Sequence, residues 1–402
     1  MKLLWVVPYL PWPTTSGGKT RQYHLLRSLA AQGHRITLLV QSKTPLDEAA
    51  RQALEPLLER LIVLPRRPLK SLRTLCAALC ARWPLLTTVN GLSPALTQRF
   101  GELLQEGNWD VVQVEHSYAF EPLAEVLKRN GQPFVLTEHN LESSLGAATY
   151  DRFPGWAKPF VCYDQWRARR WERTVFDAAT RILAVTEEDA AAMRRLTDTP
   201  VDVVVNGVDC RGFAGVRADI SSQRILFVGN YEYAPNVDAV SWLLDDIAPR
   251  LWALAPQARL VIAGYALPRQ WAERWPDTRI EWAGFVPDLP ALQSQCAAFV
   301  APLRHGGGSK LKVLEALAAG LPLVSTAQGV SGLGVVDQRD YLAGETADEQ
   351  ARALARVLGE PQTAASLGTH GRQYVLGAHD WGAVAQHLQS VYLSIRQEAT
   401  CA

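Results

Sequence analysis

Short uninterrupted apolar runs alternate with stretches of helical periodicity along the whole chain. The apolar runs predict strands at 2–7, 35–40, 61–64, 110–115, 133–137, 181–185 and 201–205. A second series is predicted at 224–228, 258–263, 279–282, 297–301 and 321–325. Runs such as "ILFVG" and "LVIAG" are apolar at consecutive positions, so both faces of the strand must be covered. That is the pattern of parallel strands flanked by helices, not of a sheet with one wet face. Two successive series of strand and helix predict an α/β protein of two doubly wound domains. The break falls in "NGVDCRGFAGVRADISSQ" (206–223), where glycines and polar residues separate the series. The run after Trp381, "WGAVAQHLQSVYLSI", has helical periodicity and ends the fold. No internal repeat or low-complexity segment interrupts the pattern.

Composition narrows this picture. A chain of 402 residues is too long for one ordinary core and suits two domains, and 48% hydrophobic residues can fill both. The net charge is +1, so no global field draws the protein to nucleic acid, and any anion site must be local. The six cysteines (76, 80, 162, 210, 296 and 401) show no C-x-x-C and no regular spacing. They read as reduced thiols of a cytoplasmic protein. The start, "MKLLWVVPYLPWP", has a short apolar run interrupted by prolines and no small-residue cleavage site, so it reads as a first strand and not as a signal peptide. No stretch approaches the length needed to span a bilayer.

The most specific chemistry lies in "RHGGGSKLKVLEALAAG" (304–320). The run "FVAPL" (299–303) ends a strand, three glycines make a loop, and Ser309 can cap a helix that Gly320 and Pro322 stop. A glycine-rich loop feeding a helix N-terminus offers free N–H groups and a favourable dipole to a phosphate, and glycine lets the ligand approach the backbone. Lys310 and Lys312 add full charges. Leu311, Leu314 and Ala318 form a buried stripe, and Glu315 sits at its edge, where a carboxylate needs partners. Ribose hydroxyls would supply them. The same residues also fit a surface turn followed by an amphipathic helix with solvated lysines. A Walker loop is excluded, because G-x-x-x-x-G-K-[ST] is absent.

The segment "PLRHGGGSKLKVLEALAAGLPLVST" resembles the nucleotide-sugar motif of retaining glycosyltransferases of family 4. Glu315 matches the second glutamate of that family's Glu-x7-Glu pattern, which holds the ribose. The first falls at Gly307, so the chain resembles the branch that carries GGGxxLKxLEA. The resemblance covers nearly the whole chain. It implies a GT-B fold, two Rossmann-like doubly wound domains facing a cleft, with acceptor domain 1–210, donor domain 211–378, and a helix 379–402 packing back on the first domain. It implies transfer of a sugar from a nucleotide diphosphate sugar, such as a UDP- or GDP-sugar, with no cofactor. The acceptor would be a saccharide, a lipid-linked molecule or a small molecule, in exopolysaccharide or glycolipid assembly.

Further motifs carry the same resemblance. "PYLPWPTTSGGKTRQYHLLRSLAAQGHRITLL" places Gly17 and Gly18 after the first strand, where backbone can approach the donor phosphate or the acceptor. "VVQVEHS" (111–117) and "FVLTEHNLESS" (134–144) each end a buried run with Glu-His. Side chains beyond the carboxyl ends of parallel strands point into the cleft of an open α/β sheet. His139 matches the family's histidine beside the transferred sugar, with Asn140 and Glu138 as lesser candidates. Glu115 and His116 match an acceptor-side position. In "ILFVGNYEYAPNVDAVSWLLDDIAPRL" (225–251), Gly229 is retained, but Asn230 and Asn236 replace an arginine and a lysine that grip diphosphate in many family members. Phosphate then falls to Lys310, Lys312 and Arg304, with Gly307, Gly308, Ser309 and Leu311 around it. Phe285 and Val286, after Gly284, match the place where the base is held. "ILAVTEEDAAAMRR" carries a capping box at Thr186 and Asp189.

No Asp-x-Asp string is present, so the metal-dependent GT-A arrangement is unsupported, and lysines with a helix dipole can stabilise the leaving diphosphate without metal. The absence of G-x-G-x-x-G argues against a dinucleotide site. The segment "PRRPLKSLRTLCAALCARWPLL" (65–86) mixes basic residues with apolar helical periodicity, which fits either an ordinary surface helix or contact with an anionic bilayer on the cytoplasmic side. A GT-B epimerase and a non-catalytic nucleotide-sugar-binding protein are the competing functions.

Overall fold

The computed structural model describes residues 1–43, 45–66, 82–91, 93–141, 143, 158–306 and 310–401. The chain divides into two compact units, Met1–Val205 with Val384–Ala402, and Asn206–Ala383.

The first unit is built on strands β1 (Lys2–Val7), β2 (Arg35–Ser42), β3 (Arg60–Pro65), β4 (Val111–Glu115), β5 (Val135–Glu138), β6 (Arg181–Ala184) and β7 (Val201–Val203). They form one sheet in the order β3-β2-β1-β4-β5-β6-β7, with every pairing parallel. Leu3 to Val7, Val111 to Glu115 and Val135 to Glu138 are buried at consecutive positions, as a sheet covered on both faces requires. The chain order reverses between β1 and β4. Side chains beyond the carboxyl ends of those two strands therefore meet at a topological switch point, where open α/β sheets bind ligands. The terminal helix Trp381–Cys401 reaches this sheet through the Tyr392 hydroxyl, which donates to Gln113 Oε1.

The second unit repeats the plan with β8 (Arg224–Asn230), β9 (Arg259–Tyr265), β10 (Ile280–Gly284), β11 (Ala298–Ala301), β12 (Leu323–Ser325) and β13 (Leu342–Ala343). The order is β10-β9-β8-β11-β12-β13, again all parallel. Its switch point lies between β8 and β11. The twelve predicted strands are all present, and the short β13 is an addition. Its two residues carry no apolar run and are held by pairing to β12.

Two local expectations change. The Thr186 hydroxyl does cap the helix Glu187–Arg194, accepting from Asp189 N at 3.1 Å, but the Asp189 carboxylate accepts from that same hydroxyl and not from the Thr186 amide. Asp is one methylene too short for the reciprocal bond that Glu349 makes to Thr346 N in the capping box of helix Ala347–Gly359. The cap of helix Leu311–Ala318 is Lys310, not Ser309, which lies outside the described residues with Gly307 and Gly308. Most of the basic segment 65–86 likewise lies outside them. Among the described cysteines, Cys162, Cys210 and Cys296 are free thiols.

Candidate active site

In the first unit, β1 runs into a loop and then the helix Gly17–Ala31. The cap residue Ser16 is extended, and its side chain makes no capping bond. The first-turn amides are thus left to a ligand or to water. A methyl group on Gly18 would sit 2.6 Å from Tyr9 Oη and 3.2 Å from His139 Nδ1. Glycine is required here by close approach, and the start of the helix lies directly against the His139 ring.

His139 follows β5, and its Nε2 lies 2.9 Å from Glu115 Oε2 at the end of β4. The other carboxylate oxygen of Glu115 accepts from Trp5 Nε1 at 2.9 Å and Gln113 Nε2 at 2.8 Å. Burial alone would push the Glu115 carboxyl up, but the bond from His139, the neighbouring imidazoles and Gln113 hold it at about 2. Burial, reinforced by His116, pushes the His139 imidazole down to about 4 against the pull of Glu115. At neutral pH the pair is therefore an ionised carboxylate and a neutral ring. The carboxylate can only accept, so Nε2 carries the proton and Nδ1 keeps its lone pair, on the side facing Gly18.

Glu115, expected on the acceptor side, has a role within the protein. It is buried, and both its oxygens accept hydrogen bonds, so in this structure it sets the tautomer and orientation of His139. His116 is also buried, at φ 67°, a left-handed conformation that costs a non-glycine residue energy. Its Nε2 lies 3.1 Å from Tyr9 Oη, and its ring is 4.4 Å from that of His139 between centroids. Glu138 is fully buried, and burial pushes its carboxyl up to about 8. Its Oε1 accepts from Ser117 N at 2.6 Å, so it serves the turn after β4. Asn140 is half-buried beside His139. Ligand-type atoms of Glu115, His116 and His139 lie within 4.8 Å of one another. The indole, amide and imidazole donors on Glu115 make it, with His139, a hydrogen-bonded dyad.

In the second unit, β8 ends at Gly229 and Asn230 and leads to the helix Ala234–Trp242, while β11 leads through the glycine loop to the helix Leu311–Ala318. Val313, Leu314, Ala316, Leu317 and Ala318 are buried, so this helix is enclosed more fully than a single stripe of Leu311, Leu314 and Ala318 would be. Leu311, Lys312 and Glu315 alone among its residues stay half-buried, and they share one side. Solvated lysines are not what the structure contains. Lys310 is buried, and its Nζ donates to Gly306 O at 3.1 Å. Lys312 donates to Asn236 Oδ1, Asn236 Nδ2 donates to Asn230 O at 2.8 Å, and the ammonium lies 4.8 Å from the Phe227 ring centroid. Asn236 thus replaces a lysine in sequence and holds another lysine in space.

Burial, helped by the charge of Lys310, pushes Lys312 down to about 7. Burial pushes Glu315 up to about 7 against the opposing pull of Lys312. No hydrogen bond reaches the Glu315 carboxylate among the described residues. Gly306, at φ 108°, packs on Pro235, and its carbonyl also accepts from Gln328 Nε2 at 2.7 Å. Arg304 is not a spare cation: Asp238 takes it through two bonds, one of them 3.0 Å from Nε. Gly229 lies against Asn236, where a methyl group would be 3.1 Å from its Cγ. Phe285 is 69% exposed and Val286 half-buried after β10, so of these two Phe285 projects freely. The partners Tyr9, Trp5 and Gln328 carried no sequence signal, because each meets its site from another part of the chain.

Residues 15–211 match the family described as Glycosyltransferase Family 4, and residues 222–360 match glycosyl transferases group 1. A glycogen synthase of Mycobacterium tuberculosis is 26% identical over 99% of this chain and 95% of its own length. A GDP-mannose:cellobiosyl-diphosphopolyprenol alpha-mannosyltransferase of Xanthomonas oryzae is 30% identical over 44% of this chain and 50% of its own. Among solved structures, a sucrose-phosphate synthase from Thermosynechococcus elongatus superposes with a TM-score of 0.72 at 18% identity, covering all of both chains. Two doubly wound units, matched in turn by these two families over most of the chain, make the protein a glycosyltransferase of family 4 with the GT-B fold.

Proposed function

We propose that the protein is a retaining, metal-independent hexosyltransferase that takes its sugar from a nucleoside diphosphate sugar and gives it to a saccharide or lipid-linked acceptor. One observation carries the donor assignment. A carboxylate that no hydrogen bond reaches among the described residues, Glu315, and a desolvated lysine, Lys312, share the open side of an otherwise buried helix that follows a glycine loop at the second switch point. A bound ribose supplies donors to Glu315, and a diphosphate supplies charge to Lys312 and the loop amides. The donor contacts also include Gly229, Asn230, Phe285, Val286, Lys310 and Leu311. The Xanthomonas relative, named for a GDP-mannose donor and a diphosphopolyprenol acceptor, supports this donor class and a lipid-linked acceptor.

In this account the departing diphosphate gains negative charge as the glycosidic bond breaks. Lys312 and the helix N-terminus stabilise it without reorganising. Positive charge develops at the sugar ring, and neutral His139 presents its Nδ1 lone pair to a sugar hydroxyl. Asn140 and the amides of Gly17 and Gly18 complete the sugar and acceptor contacts. The family resemblance predicts retention, so NMR of the first-formed product should show the donor's anomeric configuration; inversion contradicts it. Transfer is expected to continue at full rate in excess EDTA, because the cations assigned to the diphosphate are side chains; an absolute requirement for a divalent ion removes that assignment. Replacing Glu115 with glutamine takes a charged acceptor from His139 and should lower kcat on the order of 10-fold with little change in donor KM. The imidazole nitrogens in NMR should then lose the fixed Nε2-protonated pattern of the wild type. A variant with the wild-type tautomer and rate excludes the positioning role.

A further inference from the structure

We propose that the helix Lys158–Ala178 in the first unit is a docking face for an anionic membrane surface. Tyr163 and Trp166 are each 52% exposed, and their rings stack at 5.9 Å. Such rings, with an apolar body and a polar edge, are costly to leave in water and suit the headgroup level of a bilayer. Leu86, 39% exposed, belongs to the same corner, because the preceding residue donates its amide to Asp164 Oδ1 of this helix at 3.0 Å. These three are most of the exposed large apolar side chains among the described residues of this unit; Leu393 is the other.

The charges on the helix are sorted by sign. Lys158, Arg169, Arg170 and Arg173 are exposed. Of the three carboxylates, Asp164 is buried and paired with Arg167, and Glu172 is buried and accepts from Ser143 N at 2.9 Å. Only Asp177, near the far end, reaches solvent, where it lies 3.8 Å from Arg173 Nε and offsets that one cation. Spacings of three and four put Tyr163, Trp166, Arg170 and Arg173 along one side. The Arg170 guanidinium lies 5.0 Å from the Trp166 ring, so the cation and the aromatic present themselves together. In a chain of net charge +1, this concentration is local and complementary to phosphate headgroups. No helix among the described residues is long and apolar enough to cross a membrane, so attachment here is peripheral.

The test is flotation of the full-length protein with vesicles of phosphatidylcholine, with and without phosphatidylglycerol. Each basic side chain near an anionic surface contributes roughly fivefold in partitioning. The wild type is expected to float with the anionic vesicles and not with the neutral ones. Arg169→Glu with Arg170→Glu should lower the partition coefficient at least about tenfold, while Arg169→Lys with Arg170→Lys should retain it. Trp166→Ala should weaken binding at unchanged melting temperature. Equal flotation with both vesicle types, no flotation with either, or wild-type flotation of the Glu variant overturns the proposal; the last result would move the contact to segment 65–86. The measurement uses neither donor nor acceptor, so its failure leaves the proposed transfer untouched.

Discussion

Replacing His139 with alanine is expected to lower kcat by about 10²–10³ and to leave donor affinity nearly unchanged. The ring sits at the carboxyl end of β5, held by Glu115 and pressed against Gly18, with the nucleotide contacts assigned to the other unit. An interaction realised mainly in the transition state lowers kcat and kcat/KM together, with KM little altered. Truncation also removes the N–H that Glu115 Oε2 accepts, so some loss of melting temperature is expected alongside. A ring that serves packing alone makes a different forecast: a lower melting temperature with the specific activity of the folded fraction near wild type. Measuring both on one variant decides between them.

The second large effect is at Glu315, where affinity and stability should move in opposite directions. Glu315→Ala should weaken nucleotide binding by about 1.5–3 kcal/mol, roughly 10- to 150-fold in Kd, because a charged acceptor for ribose is lost. In the ligand-free protein the same carboxylate is desolvated and raised to about 7. An acid whose folded pKa is raised contributes stability below its unfolded pKa and loses it as pH rises through the folded value. At neutral pH and above the ionised group is a cost, so the alanine variant should melt at the same temperature or higher. Lys312, lowered to about 7, has the complementary behaviour: its burial costs stability at acid pH and is relieved as pH rises past 7. Binding inverts both preferences, since ribose favours ionised Glu315 and diphosphate favours charged Lys312. Donor affinity should peak near neutrality, and above it binding should take up protons, visible by calorimetry in buffers of different ionisation enthalpy. Affinity independent of pH across neutrality would remove the pair from the site.

The frame of both units was legible because parallel strands buried on two faces must be apolar at every position. Runs such as "LLWVV" and "LVIAG" announce themselves without knowledge of their neighbours. Leu342–Ala343 did not, since a two-residue strand is made by its partner. The glycine loop and Glu315 were also readable, because helix start, charge and stop lie within one short segment. What stayed hidden is pairwise and distant. Asn236 looks like the loss of a cation until it is seen to hold Lys312, 76 residues away. Arg304 gives no sign in the sequence of its ion pair with Asp238, 66 residues back. Glu115 sits at a strand end as an acceptor ligand would, yet Trp5 and His139 close around it.

The central claim is that this protein transfers a sugar from a nucleoside diphosphate sugar held by the second unit. A ligand that binds only the folded state raises the melting temperature. The decisive measurement is a thermal-shift screen of the wild type and Glu315→Ala against UDP-, GDP- and ADP-sugars, followed by nucleoside diphosphate release in the presence of whichever sugar binds. The account predicts a rise with at least one nucleotide sugar, a smaller rise in the variant, and release of the diphosphate with transfer or slow hydrolysis. No shift with any nucleotide sugar, or binding without any release, contradicts it.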